Sequence, residues 1–166
     1  MNLDFKSPQD RLIQKKNGTD DRVVFEQSID SLETLKKFWS DEIATWNSSQ
    51  TVIWLDGDLG AGKTTSVGAI LKSFDQEQNE VLASSPTFAL HHCYPVKHSL
   101  FDSIEHVDLY RIQSESELDQ TGFWDLFTQN RCLIVIEWGA RLDPNTIPFE
   151  WSFLRYQLKL RSSIID

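Results

Sequence analysis

The segment GDLGAGKT at residues 57–64 constrains this chain more than any other part of its sequence. It fills the pattern G-x-x-x-x-G-K-[ST], in which glycines let backbone N–H groups curl around a phosphate at the start of a helix. An apolar run at residues 52–55 precedes the segment, and apolar residues at helical spacing follow it over residues 67–74. This order of strand, loop and helix predicts a phosphate-binding loop (P-loop). The alternative is a glycine-rich turn without a ligand.

Several residues of the loop suit particular parts of a nucleotide bound with Mg²⁺. Lys63 would reach the β- and γ-phosphates, and the Thr64 hydroxyl would bind Mg²⁺. Thr65, one residue further into the helix, can donate to the α-phosphate. The candidate nucleotide-binding residues are Asp58, Leu59, Gly60, Ala61, Gly62, Lys63, Thr64 and Thr65.

A P-loop protein also needs a carboxylate near the phosphates, commonly at the end of a strand beside the loop. Glu137 ends the apolar run at residues 133–136, which fits the Walker B pattern of four apolar residues followed by an acid. Asp108 lies in the segment EHVDLYR and can instead bind the metal directly or through water. The candidate metal ligands are Thr64, Asp108 and Glu137.

Two further groups of residues carry weaker signals. Thr87 follows Pro86 in a segment of loop character, where a hydroxyl can meet the γ-phosphate and Mg²⁺ in the manner of a switch loop. Ser-Pro-Thr is also an ordinary turn. His91 and His92 are adjacent, so on a strand they point to opposite faces, and His106 is interpreted as a strand histidine and not as a ligand. The candidate catalytic residues are Glu137, Asp108 and Thr87.

Strands that alternate with helices predict an α/β fold with a parallel core. Apolar runs indicate strands at residues 52–55, 81–83 and 131–138, and alternation indicates another at residues 154–161. We expect a three-layer P-loop NTPase domain with a mostly parallel central sheet over residues 21–166. Residues 1–20 are polar and end in a turn-rich segment, so they are predicted to be a flexible N-terminal extension.

The composition limits the classes of function. The 166 residues carry 16 basic and 25 acidic side chains, for a net charge of -9. This balance argues against a stand-alone nucleic-acid binder, because phosphate contacts need a basic surface, but it allows an acidic subunit beside a basic one. Cys93 and Cys132 lack metal-ligand spacing and are expected to be reduced thiols. No apolar run is long enough for a signal peptide or a membrane span, so a cytoplasmic location is expected.

Four motifs in order give the chain a family resemblance: the P-loop, Ser-Pro-Thr-Phe, His-Val-Asp-Leu-Tyr-Arg and Ile-Glu-Trp. Residues 23–160 resemble the TsaE (formerly YjeE) family, small P-loop ATPases of bacterial tRNA threonylcarbamoyladenosine biosynthesis. Gly139 stands where members of that family usually carry proline. The resemblance implies that ATP and Mg²⁺ bind at residues 57–65, with Thr87 in a switch-like loop and with Asp108 and Glu137 at the metal and the attacking water.

The resemblance also implies a partner. In the TsaE family the ATPase supports the TsaB–TsaD heterodimer, which transfers threonylcarbamoyl to the adenosine next to the anticodon. The chain would then contact tRNA only indirectly, through that complex, and would involve no membrane. Hydrolysis of ATP is expected to be slow in the isolated chain and stimulated by the heterodimer.

Three other functions are alternatives to this interpretation. A small-molecule P-loop kinase would need an arginine-bearing lid, and Arg141 is the one arginine within residues 140–150. A GTPase-like switch is disfavoured, because its D-x-x-G match at residues 119–122 falls inside a predicted helix and the chain has no N-K-x-D or T-K-x-D guanine motif. An interaction subunit that binds nucleotide without hydrolysing it remains open.

Overall fold

A computed structural model describes residues 11–16, 22–74 and 90–160. These residues form one sheet of seven strands. The strands are β1 (Arg11–Lys16), β2 (Val23–Ile29), β3 (Gln50–Asp56), β4 (His91–Pro95), β5 (Ser103–Asp108), β6 (Cys132–Glu137) and β7 (Ser152–Leu160). The helices are α1 (Leu32–Ile43), α2 (Lys63–Phe74) and α3 (Glu115–Asp119), with 3₁₀ turns at Phe123–Thr128, Gly139–Arg141 and Pro144–Thr146.

The centre of the sheet is parallel and its edges are antiparallel. The strand order is β2-β1-β7-β3-β6-β5-β4, and the pairs β7–β3, β3–β6 and β6–β5 are parallel. Strands β1, β2 and β4 run antiparallel to their neighbours. Every residue of β6 is buried, as its continuous apolar run predicted for a strand covered on both faces. The predicted α/β class with a mostly parallel central sheet is confirmed.

Helices cover both faces of this sheet. On one face α1 and α2 pack together in a core cluster that includes Trp39, Ile70 and Val135. The other face is covered by α3 and the 3₁₀ turns, in a cluster that includes Trp54 and Phe123. The helix α1 forms because Ser31 caps it, accepting a hydrogen bond from the Thr34 backbone N–H, and because its apolar residues recur at helical spacing. The three-layer arrangement follows from these two cores.

The N-terminal part of the chain contributes to the sheet. Residues 11–16 fell within the predicted flexible extension, but they form β1, which lies between β2 and β7. Ile13 is buried against the α1 side of the sheet, and Lys15 donates to Glu42 of α1 at 2.8 Å. The prediction is therefore wrong for residues 11–16, because the buried side chain of Ile13 anchors a strand in which most residues are polar. The boundary at residue 20 lies outside the described residues and stays a prediction.

Two other predictions also fall outside the described part of the chain. These are the strand at residues 81–83 and the position of Thr87. The helices that the structure does describe are all too short or too polar to cross a lipid bilayer.

Candidate functional site

The P-loop connects β3 to α2 at the carboxyl edge of the sheet. Its backbone depends on glycine at two positions in particular. Gly57 has a φ of +146°, and a Cβ there would lie 2.3 Å from the carbonyl oxygen of Leu158. Gly62 has a φ of +99°, in the region that side chains disfavour. The loop therefore follows the path that the motif predicted, with its glycines where larger residues would clash or be strained.

Lys63 begins α2 and is 5% exposed. Its Nζ donates to the carbonyl oxygens of Gly57 at 2.7 Å and Asp58 at 2.8 Å, so the ammonium is held across the loop. Burial lowers the pKa of Lys63, and the nearby carboxylates of Glu137 and Asp108 oppose that shift. The result is a positioned positive charge at the mouth of the loop.

Glu137 ends β6 beside the loop and is 2% exposed. Its Oε2 accepts a hydrogen bond from the Thr64 hydroxyl at 3.0 Å. Its Oε1 lies 2.9 Å from Nε2 of His106, and we assign the imidazole N–H as the donor and the carboxylate oxygen as the acceptor. The structure thus brings two candidate metal ligands, Thr64 and Glu137, into direct contact although they are 73 residues apart.

Asp108 ends the neighbouring strand β5 and is the Cα partner of Glu137 in the β5–β6 ladder. It is partly exposed, and its Oδ1 accepts from the backbone N–H of Tyr110 at 2.9 Å. The two carboxylates therefore lie side by side at the same sheet edge, because parallel strands end there together. Of the predicted catalytic residues, Glu137 and Asp108 are adjacent, and Thr87 is outside the described residues.

The remaining candidate phosphate-binding residues occupy the loop and the first turn of α2. Leu59 is 77% exposed, whereas Ala61 is fully buried against the α1–α2 core. Thr65 lies in the first turn of α2, one residue after Thr64. A bound phosphate would face backbone N–H groups of this loop and of the first turn, with the positive end of the helix behind them.

A tight turn after β6 was not predicted from the residues. Trp138 has a left-handed backbone with a φ of 62°, and its ring centre lies 3.7 Å from Lys63 Nζ and 5.2 Å from the Tyr110 ring. At Gly139 a Cβ would lie 2.3 Å from Cγ of the buried Trp54. The Ile-Glu-Trp motif of the sequence leads into this turn. The close packing of Gly139 on Trp54, however, depends on the tertiary fold.

Asp56 also contacts the turn after β6. This residue ends β3 immediately before the P-loop, is 6% exposed, and accepts the backbone N–H of Ala140 at 2.9 Å. Burial raises the pKa of Asp56 even though the Ala140 hydrogen bond and Arg155 oppose the shift. Asp56 and His106 are buried polar residues that sequence reasoning did not assign to the site. The position of Asp56 directly before the first glycine was a signal that could have found it.

Three features define this chain as a P-loop nucleotide-binding protein. They are a glycine-rich loop between a parallel strand and a helix, a buried lysine held across that loop, and a carboxylate at the end of the neighbouring strand. Residues 29–163 match the family described as "Threonylcarbamoyl adenosine biosynthesis protein TsaE". The chain belongs to that family.

Three bacterial relatives, each described as "tRNA threonylcarbamoyladenosine biosynthesis protein TsaE", illustrate the similarity. The Rickettsia felis protein is 44% identical over 88 residues, which cover 53% of this chain and 47% of the relative. The Rickettsia bellii protein is 36% identical over 118 residues, 71% of this chain and 77% of the relative. The Haemophilus influenzae protein is 35% identical over 107 residues, 64% of this chain and 63% of the relative. The chain thus spans about half the length of the Rickettsia felis relative that it matches.

One solved structure was also compared. A crystal structure of YdiB from Bacillus subtilis superposes with a TM-score of 0.46 and 20% sequence identity, covering 83% of this chain and 70% of YdiB.

Proposed function

We propose that this chain binds and hydrolyses ATP with Mg²⁺, as the subunit that supports TsaB–TsaD in forming threonylcarbamoyladenosine next to the anticodon of tRNAs. The observation that carries the proposal is the contact of Thr64 Oγ1 with Glu137 Oε2 at 3.0 Å, beside the buried ammonium of Lys63. This arrangement joins the phosphate-binding loop to a carboxylate in one site. Family membership supports the role in tRNA modification.

The donor atoms at this site fit Mg²⁺. The ion prefers oxygen ligands and usually binds through one or two carboxylates together with substrate phosphates. Thr64, Glu137 and the adjacent Asp108 supply such oxygens. In the described part of the chain no group of three or more His, Cys, Asp or Glu side chains could hold a metal by itself, so the phosphates would complete the coordination. When bound, Mg²⁺ offsets negative charge on the phosphates.

The residues of the site would bind the phosphates and activate the attacking water. Lys63 places a positive charge at the β- and γ-phosphates, and the backbone N–H groups of residues 58–65 bind the phosphate oxygens. Glu137 or Asp108 orients the attacking water and accepts its proton, and the other carboxylate holds the metal. Thr87 would complete the γ-phosphate contacts from its loop.

Charge and exposure support a partner that carries the basic surface for tRNA. The net charge of -9 disfavours direct binding of RNA by this chain. Leu59 in the P-loop and Tyr110 after β5 are exposed apolar side chains beside the site, where a docking protein would cover them. We place the reaction in the cytoplasm, where tRNA would be modified. Docking would order the surrounding loops and exclude water, which is why slow basal hydrolysis is expected to rise.

The small-molecule kinase is not favoured. Arg141, the one arginine within residues 140–150, donates to the carbonyl oxygen of Ile112 at 2.5 Å and lies 5.9 Å from the Tyr110 ring. Its guanidinium is therefore engaged with the segment after β5. A kinase would need this arginine to close over the phosphates.

Phosphate release is the test of the proposal. It should be measured with ATP, GTP and candidate acceptors, with and without TsaB–TsaD and at two salt concentrations. We expect hydrolysis of ATP that rises with the heterodimer, and an association that weakens with salt because the partner surface is complementary in charge. Transfer to a small-molecule acceptor, or a fast basal rate that the heterodimer leaves unchanged, would contradict the proposal.

The variant Glu137→Gln tests the role of the carboxylate. A general base contributes about 10²–10⁴-fold to a rate, so turnover should fall by that factor while ATP affinity stays within about threefold. Calorimetry and phosphate release on the same preparation separate the two effects. An equal loss of binding and turnover would assign Glu137 to the metal instead.

A further inference from the structure

His106 is a buried polar residue beside the P-loop site, and the proposed function gives it no role. It lies in the middle of β5, and its side chain is fully buried. Its Nε2 donates to Glu137 Oε1 at 2.9 Å. Among the described residues, no group accepts or donates a hydrogen bond at Nδ1. The one described hydrogen bond of this imidazole therefore goes to the candidate catalytic carboxylate.

The register of the sheet explains how His106 reaches Glu137. His106 is the Cα partner of Val135 in the β5–β6 ladder. Since side chains alternate along a strand, Val135 and Glu137 share one face, and the imidazole of His106 lies on that face next to both. The contact is thus built by two parallel neighbouring strands, β5 and β6, that are buried over most of their length.

The two described hydrogen bonds of the Glu137 carboxylate are not equivalent. Oε2 accepts from the Thr64 hydroxyl, which is itself a candidate metal ligand. If an oxygen lone pair of Thr64 binds a metal ion, its hydroxyl proton can still be donated to Oε2, but the position of that donor is then set by the metal. Oε1 accepts from His106, which is fully buried and lies two residue pairs further from the end of the two strands than Glu137 and Asp108. A carboxylate with three side-chain torsions needs one such fixed contact to keep its orientation.

We propose that His106 is a positioning residue that fixes the orientation of the Glu137 carboxylate through the Nε2–Oε1 hydrogen bond, on the side of the carboxylate opposite to Thr64. The proposal rests on the proposed role of Glu137 in ATP hydrolysis. His106 would act through Glu137 and not on the nucleotide or the metal directly. Loss of such outer contacts typically costs about 10–100-fold in activity.

Two substitutions at His106 and one at a neighbour test the proposal. His106→Leu removes the donor at similar volume, and we expect kcat for ATP to fall about 10–100-fold with ATP affinity within about threefold of the wild type. His106→Gln places an amide donor near the position of Nε2 and should restore much of that loss. His92→Leu is the matched control, because His92 pairs with His106 in the β4–β5 ladder and its described hydrogen-bond partner is Tyr94. Its kcat should stay within about twofold of the wild type.

A double-mutant cycle separates this proposal from the proposed function. If His106 acts through Glu137, adding His106→Leu to Glu137→Gln should lower the residual rate by less than about threefold. A wild-type-like rate for His106→Leu, with Glu137→Gln inactive, would overturn the role of His106 and leave the proposed function intact. A wild type that hydrolyses no ATP with TsaB–TsaD present would instead overturn the proposed function. A fall in both kcat and ATP affinity for His106→Gln would show a merely structural role.

The central measurement is made on the wild-type protein, and one variant, Glu137→Gln, serves as a comparison. The chain has four histidines, so nitrogen-15 NMR of the imidazole rings resolves a small number of signals. The His106 ring, identified by its contacts with the Val135 methyl groups, should carry a proton on Nε2 that exchanges slowly with solvent. Glu137→Gln should shift that proton signal. A ring protonated only on Nδ1, or an Nε2 proton that exchanges as fast as that of an exposed histidine, would overturn the hydrogen bond on which the proposal depends.

Discussion

The substitution Gly139→Ala should destabilise the protein although it adds a single methyl group. A Cβ at Gly139 would lie 2.3 Å from Cγ, 2.5 Å from Cδ2 and 2.7 Å from Cβ of Trp54. Real Cβ atoms do not approach other atoms so closely, so one of the two residues must move. Trp54 cannot easily move, because its side chain is fully buried in the central strand β3 and its ring packs edge-on against Phe153 at 4.7 Å. The backbone of the turn after β6 must therefore shift.

The size of the effect follows from the cost of overpacking a core. Such insertions typically cost about 1–3 kcal/mol, and three close contacts with an immobile side chain place Gly139→Ala near the upper end, at about 2–3 kcal/mol. For a chain of this length, 1 kcal/mol lowers Tm by about 2–4 °C, so we expect a fall of about 4–12 °C. Urea unfolding and thermal unfolding measure the two quantities independently.

A second variant shows whether Trp54 is the cause. Trp54→Ala removes Cγ and Cδ2, the two indole atoms that a Cβ at position 139 would approach most closely, at a cost of its own. In that background Gly139→Ala should cost at least about 1 kcal/mol less than in the wild type, which a double-mutant cycle measures directly. The reasoning is refuted if Gly139→Ala lowers the free energy of unfolding by less than about 0.5 kcal/mol, or by the same amount in both backgrounds.

Two further variants test the electrostatics of the site. Lys63→Ala should weaken ATP binding by at least about tenfold, or about 1.4 kcal/mol, because it removes the charge held across the loop; unchanged affinity by calorimetry would count against the site. Burial raises the pKa of Asp56 above 3.8, so the Asp56 carboxyl group binds a proton more tightly in the folded state than in the unfolded chain. The free energy of unfolding therefore falls as pH rises through the raised pKa. Asp56→Asn keeps an acceptor for Ala140 but does not titrate, so Tm should fall less between pH 4 and 7 than in the wild type. Parallel Tm profiles for the two proteins would exclude this account.

Local sequence signals were sufficient for the P-loop and for the class of fold. The glycine pattern, the apolar run before it and the helical spacing after it all act within about 20 residues, and hydrophobic periodicity is a local property. The buried run of β6 ending in Glu137 was recognisable for the same reason. The functional roles of Glu137, Asp108 and Thr87 stay predictions, to be tested by the variants above.

Tertiary structure decided what depends on contacts between distant segments. The mostly polar strand β1 lies in the sheet, where it pairs with β2 and β7 and the side chain of Ile13 is buried. The sequence of residues 11–16 alone does not indicate this burial. His106 became a partner of Glu137, 31 residues away, because the register of β5 and β6 sets their side chains on one face. Gly139 is required by the indole of Trp54, which lies on another strand. Periodicity and motifs report what each segment prefers by itself, whereas register and close packing arise only when the segments meet.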